Sequence, residues 1–209
     1  MNRYVVTCCL GTSEAPLRRE IERNAALART IAHLRGETFA GEYDATLRYA
    51  RPLYFVPHKT IVGAAVAAAV GIHGRDDLYG GVVPRAYLAT KAIMHGLVSS
   101  RAARPRGWSP RFADAIASTV LPGYTVFDPY DAYRAATRLL QDGLARCKRT
   151  TAAGGCGQYT IDRVDALAPI LAEIGADELA RCGLVIERHL DDIVTYSVGR
   201  IHVGELTAS

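Results

Sequence analysis

Long hydrophobic runs, regular cysteine spacings, dense basic tracts and internal repeats are all missing from this 209-residue chain. The longest apolar stretch, Ile61 to Ile72 (IVGAAVAAAVGI), falls well short of the roughly 20 residues a membrane helix needs, so no membrane span is expected. Met1 to Leu10 is too short, and too soon followed by charge, to be a secretory signal. The five cysteines (Cys8, Cys9, Cys147, Cys156, Cys182) form an odd set without framework spacing, which argues for reduced thiols in a cytoplasmic protein rather than a disulfide scaffold. No close CxxC or HxxxH pair seeds a zinc site. Charge of one sign is scarce too: 25 Lys and Arg stand against 21 Asp and Glu, a net +4. That excess suits small anionic ligands and is too scattered for nucleic acid; the densest basic run, Arg101 to Arg106, is broken by Pro105 and reads as a solvated loop.

What remains is an ordinary globular composition, 49% hydrophobic and 22% charged, with an alternation of strand and helix patterns. Tyr4 to Leu10 (YVVTCCL) reads as a strand, followed by an amphipathic helix over Pro16 to Arg35 that Gly36 stops. A second strand at Pro52 to Val56 precedes a buried helix over Val62 to Val70. This βαβα order predicts a layered α/β unit with a mostly parallel sheet. Further on, Ala86 to Leu97 and Arg111 to Val120 read as helical, and Tyr124 to Phe127 as extended. Asp128-Pro129-Tyr130-Asp131 is a helix start: Asp128 can accept from free amides, Pro129 suits the first turn and Asp131 complements the dipole, with the helix reaching about Gln141. Leu144 to Lys148 is extended, a helix begins at Thr160 or Asp162 and runs through Ile174, Asp177 to Cys182 is helical, and Leu184 to Glu187 and Tyr196 to Val203 are strands.

Between Lys148 and Gln158 the chain reads KRTTAAGGCGQ, which could not pack a core. Three readings compete. Glycines let successive amides approach an anion while Lys148 on the preceding strand neutralises phosphate charge, although neither the Walker pattern nor G-x-G-x-x-G is present. Cys156 could instead be a nucleophile if one of His33, His58, His73, His95, His189 or His202 lay beside it. The third reading is a plain glycine turn between a strand and a helix. A lysine on an apolar strand needs an anionic partner or a route to water, but on pattern alone the anion and plain-turn readings stay balanced.

The order Thr90-Lys91-Ala92, then LPGYT, the strand with Lys148, the glycine loop, and LVIE running into Glu187-Arg188-His189-Leu190 resembles the ATP-grasp superfamily. The chain is similar to a bacterial family of unknown function assigned to that superfamily, through PLYFVPHKTIVG, DDLYGGVVPRAYLATKAIMH, VLPGYTVF, GGCGQ and GLVIERHL with TYSVGRIHVG. The resemblance implies an α/β (α+β) fold with a small N-terminal unit, residues 1–84, and an ATP-binding region, residues 85–209. It implies that Lys91 and Lys148 contact ATP phosphates, that Gly154, Gly155 and Gly157 form a lid, and that Glu187 takes the adenine side of the hinge. Leu190 would pack near the base, and Asp191 or Asp192 would reach the ribose. The implied parent activity is ATP- and magnesium-dependent ligation of a small carboxylate to an amine or thiol through an acyl phosphate.

Departures from that pattern are plain. The acids that hold magnesium in the superfamily lie on strands well past the hinge and have no counterpart before Ser209, so the chain is expected to be C-terminally incomplete or a shortened relative. Arg149 stands where relatives often carry Pro, and Cys156 interrupts the glycines. A non-catalytic interaction module, with the loop as a mere connector, is the alternative reading from another class.

Overall fold

The alternating apolar runs become strands of two separate sheets in the computed structural model, which describes residues 3–11, 16–152, 155–194, 196 and 198–209. In chain order the elements are β1 (Tyr4–Cys8), α1 (Arg18–Arg35), β2 (Thr38–Glu42), β3 (Leu53–Pro57), β4 (Ile61–Val62), α2 (Ala64–Ala69) and β5 (Val82–Val83). They continue with α3 (Arg111–Ile116), β6 (Gly123–Val126), α4 (Pro129–Leu139), β7 (Ala145–Arg149), β8 (Gln158–Ile161), α5 (Leu167–Ile174), α6 (Ala176–Cys182), β9 (Leu184–Arg188), β10 (Ile201–Val203) and β11 (Leu206–Ala208). Two compact units result, one of residues 1–85 with 195–209, the other of residues 86–194. The fold is mixed α/β, as the alternation of patterns predicts.

In the first unit β1 lies between β2 and β3, parallel to both, in the order β2-β1-β3. A parallel strand is buried on both faces, which is why β1 reads as continuously apolar. Val5 joins Tyr54, Val56, Ala28, Ile31 and Ala32 on the α1 side, while Val6 and Cys8 join Phe55, Ile61, Ala67 and Leu78 on the other. The hairpin β10-β11 belongs to this unit and adds Val203 to the α1-side core. Gly36 ends α1 in the left-handed conformation, φ 64°, as the sequence predicts.

The second unit holds an antiparallel sheet in the order β6-β9-β7-β8. Asp128 caps α4 by accepting from the Asp131 amide at 2.7 Å. Ala132, Ala135 and Ala136 of α4, fully buried, let the helix lie close on the sheet, where with Leu167, Ile170 and Ile174 they cover Val126, Ala145, Cys147, Ile161, Leu184 and Ile186.

Four expectations are corrected. Thr160 lies in a strand, β8, so the glycine loop joins two strands of a hairpin rather than a strand to a helix, and the helix begins only at Leu167 after a 3-10 turn over Val164–Ala166. Val62 to Val70 contains a six-residue helix in which only Ala67 is buried, because alanine side chains are too small to anchor a short helix in a core. Ala86 to Leu97 forms two 3-10 turns, Ala86–Ala89 and Lys91–Met94. Within Tyr196 to Val203 the described residues are extended as a paired strand only from Ile201.

Candidate anion-binding site

The second sheet is two-faced, and its strand period of two decides what each face carries. Opposite the helix-covered face stand Gly123 and Thr125 of β6, Val185 and Glu187 of β9, Arg146 and Lys148 of β7, and Gln158 and Thr160 of β8, matched by the register Gly123↔Glu187, Arg146↔Glu187 and Lys148↔Gln158. Lys148 is thus displayed on the face opposite Ala145 and Cys147, the two core positions of its own strand. Its ammonium forms an ion pair with Glu187 Oε1, a carboxylate on the neighbouring strand that is only 7% exposed.

The segment 90–97 lies across the same face. Thr90 caps its 3-10 turn by accepting from the Ala92 amide at 3.1 Å. Thr125, fully buried on β6, stitches it down: its hydroxyl donates to Ala92 O at 2.6 Å and its amide to Gly96 O at 2.9 Å. Held this way, the segment delivers Lys91 and His95. His95 Nε2 lies 3.3 Å from Glu187 Oε2, both groups buried. Lys91 Nζ donates to Ala152 O in the glycine loop at 2.9 Å.

Electrostatics ties these groups into one cluster. Burial pushes the Lys91 ammonium below its ordinary range, and the charge of Lys148 pushes it further, with Glu187 acting in the opposite direction. Burial works against ionisation of Glu187, yet its hydrogen bonds with His95 and Lys148 outweigh burial and hold the carboxyl below the usual range. Two ammonium groups and one carboxylate in a half-buried setting leave net positive charge, an arrangement that attracts an anion.

The loop itself is clamped at its stem. Arg149 Nε and Nη2 meet the two oxygens of Glu178 on α6 at 2.7 and 2.5 Å, and Thr151 donates to the same carboxylate at 2.9 Å. The buried Thr150 hydroxyl donates toward the carbonyls of Cys182 and Gly183, 3.0 and 2.8 Å away. The Arg149 amide donates to Gly157 O at 2.8 Å and closes the hairpin. Gly157, at φ 61°, admits no side chain, since a Cβ would stand 2.9 Å from Ala152 Cβ and 3.0 Å from Arg149 Cβ.

Glu178→Gln keeps the volume but loses the charged fork. It is expected to cost about 1–2 kcal/mol and to speed native-state tryptic cleavage after Arg149 several-fold. The Glu178 carboxyl is held below its usual range by the Arg149 hydrogen bonds against opposing burial. Its contribution is therefore complete above the ordinary Glu pKa of about 4.3 and fades as pH falls through the lower folded value. Melting curves of the two proteins should converge in acid.

Of the residues expected at the site, Lys91, Lys148 and Glu187 converge, and Ala152 of the loop joins them. Gly155 and Gly157 lie in the hairpin loop, whereas Gly154 lies outside the described residues. Leu190 is 41% exposed and offers its carbonyl to Arg146 Nη2 at 3.3 Å. Asp191 pairs with His189 Nε2 at 3.2 Å rather than with the lysine cluster. His95 escaped the sequence reading as a member of the cluster, because its partner lies 92 residues away. One signal could have narrowed the search: the chain has only three lysines, Lys59, Lys91 and Lys148, and two of them meet here. Cys156 is exposed, and no histidine hydrogen-bonds to it among the described residues. Burial pushes the Cys8 and Cys147 thiols up to about 12, which makes both unreactive.

The site therefore belongs to a mixed α/β protein in which two lysines and a carboxylate gather on the face of an antiparallel sheet opposite its helices, with Lys91 bonded to the glycine-containing hairpin loop. By sequence the chain belongs to a family described as proteins of unknown function (DUF3182), whose model matches residues 7–209. No curated protein matches it. Among solved structures it is similar to D-alanyl-alanine synthetase A from Vibrio cholerae O1 biovar eltor, with 14% identity, a TM-score of 0.49, and coverage of 91% of this chain and 60% of that one. It is also similar to a RimK domain ATP-grasp protein from Sphaerobacter thermophilus, with 15% identity, a TM-score of 0.39, and coverage of 89% and 64%. The chain thus spans less than two thirds of either structure, and neither likeness is close enough to carry a residue's role across. No helix among the described residues is long and apolar enough to cross a membrane.

Proposed function

We propose that residues 86–194 bind the polyphosphate of ATP in the manner of ATP-grasp proteins. What carries this reading is the convergence of Lys91, Lys148 and Glu187 beneath the glycine loop, with Lys91 already on the loop's Ala152 carbonyl. The two ammonium groups would neutralise phosphate charge, and amides around Gly155 and Gly157, with Gly154, would close over it. Glu187 would mark the adenine side, with Leu190 near the base and Asp191 toward the ribose. The parent reaction would be phosphorylation of a small carboxylate and attack on the acyl phosphate by an amine or thiol.

Magnesium would accompany ATP in such chemistry. Among the described residues no three His, Cys, Asp or Glu side chains come together to hold a metal ion, so no residue of the chain is assigned to it.

Titration calorimetry with MgATP tests the reading. Wild type should bind, and Lys91→Ala and Lys148→Ala should each weaken binding at least tenfold, roughly 1.4 kcal/mol or more. Equal affinity in all three proteins would defeat it. Failure of ATP to bind or to raise the melting temperature, together with self-association in light scattering, would point instead to the non-catalytic interaction module.

A further inference from the structure

We infer that His95 is a positioning residue that fixes the Lys148–Glu187 pair by holding the second carboxylate oxygen of Glu187. The argument starts from burial. Glu187 is 5% exposed, and a carboxylate withdrawn from water needs partners on both oxygens or it turns outward or takes up a proton. Lys148 takes Oε1, reaching in from β7 with a quarter of its side chain still exposed. Oε2 faces His95, which is 4% exposed and lies 3.3 Å away. No other side chain is within hydrogen-bonding distance of that oxygen among the described residues.

Three features keep the imidazole there. His95 ends the 3-10 turn that Lys91 begins, in extended conformation, so its direction is set by the chain leaving the turn. The next carbonyl, Gly96 O, is pinned by the Thr125 amide at 2.9 Å, and the previous turn by the Thr125 hydroxyl. Gly123, opposite Glu187 on β6, has no room for a Cβ, so the Glu187 side chain is confined from that flank as well. Lys91 and His95 therefore share one short, tied-down segment, which sets one ammonium of the cluster directly and the other through Glu187. Removing the imidazole would release Glu187 and, with it, the direction of Lys148.

The effect on nucleotide affinity rests on the ATP reading above, whereas the effect on Lys148 does not, and one experiment separates them. With three lysines in the chain, brief acylation by acetic anhydride followed by mass spectrometry reads each amine alone, with Lys59 as internal reference. In ligand-free His95→Phe, Lys148 should acylate at least about fivefold faster relative to Lys59 than in wild type. His95→Gln, whose amide can donate to Oε2, should return the ratio to within about twofold. If His95→Phe lacks a native near-ultraviolet dichroism spectrum, His95→Asn, polar but too short to reach, takes its place with the same expectation. An unchanged Lys148 ratio, or a His95→Gln protein as altered as the apolar variant, overturns the inference. MgATP affinity of the same proteins should fall and recover in parallel. A wild type that does not bind ATP sinks the proposed function while the acylation ratios still decide the role of His95.

Discussion

Lys148→Met is expected to lower the stability of the ligand-free protein by about 2–4 kcal/mol, seen as a fall in melting temperature of roughly 5–12 °C at pH 7. The magnitude follows from what is left behind. Glu187 is nearly sealed from water, and removing one partner of a buried pair strands the other charge in a medium that solvates it poorly. Dispersal of the loss is limited because the remaining hydrogen bond to His95 satisfies only one oxygen. Lys148→Met combined with Glu187→Gln should regain part of the deficit, since a neutral amide can still accept from His95 and no longer needs a cation. Acid provides an independent check. Glu187 has a depressed folded pKa, so its share of stability is whole above about pH 4.3 and disappears as pH drops through the folded value. Wild type and Lys148→Met should therefore draw together between pH 5 and the acid limit. Equal melting temperatures at pH 7 would mean that the pair does not form in solution.

A comparable loss, about 2–3 kcal/mol, is expected from adding a single methyl group at Gly123. A Cβ there would sit 2.8 Å from Glu187 Cβ, 2.9 Å from Ile186 O and 3.0 Å from Glu187 Cα. Two of those neighbours are backbone atoms of a central strand, which cannot yield without opening the β6–β9 ladder. Overpacking of this kind ordinarily costs about 1–3 kcal/mol, and the rigid partner places Gly123→Ala toward the upper end. Gly96→Ala is the matched control: a Cβ at that position meets nothing within 4 Å, and its backbone is not left-handed. It should be neutral or slightly stabilising in urea unfolding. A Gly123→Ala midpoint within error of wild type would show that the two strands are farther apart than described.

The elements that sequence pattern revealed are those whose cause is local. Asp128-Pro129-Tyr130-Asp131 specifies the start of α4 by its own chemistry, and Gly36 ends α1 by its own backbone freedom. β8 and β2 were illegible for the opposite reason: QYTI and TFAGE are short, half-polar edge strands that exist because a neighbouring strand offers its free hydrogen bonds. The Ala-rich stretch gives the right element and the wrong burial, because alanine favours helix while contributing little to a core, and α2 is mostly exposed. The candidate site divides in the same way. Lys148 is legible as a lysine on a strand whose Ala145 and Cys147 belong to the core. His95 looked like any other histidine, since its meaning lies in a carboxylate that only the fold brings near.

The path of the chain bears on how this protein can be cut. Residues 86–194 form one uninterrupted run, whereas the first unit is assembled from both ends, with residues 195–209 returning to place Val203 among Val5, Ala28 and Ile31. Trimming the tail would therefore wound the body that holds the opening strands and leave Lys91, His95, Lys148 and Glu187 in place. Shortened versions intended to isolate the lysine cluster are better made by excising the central run than by clipping a terminus.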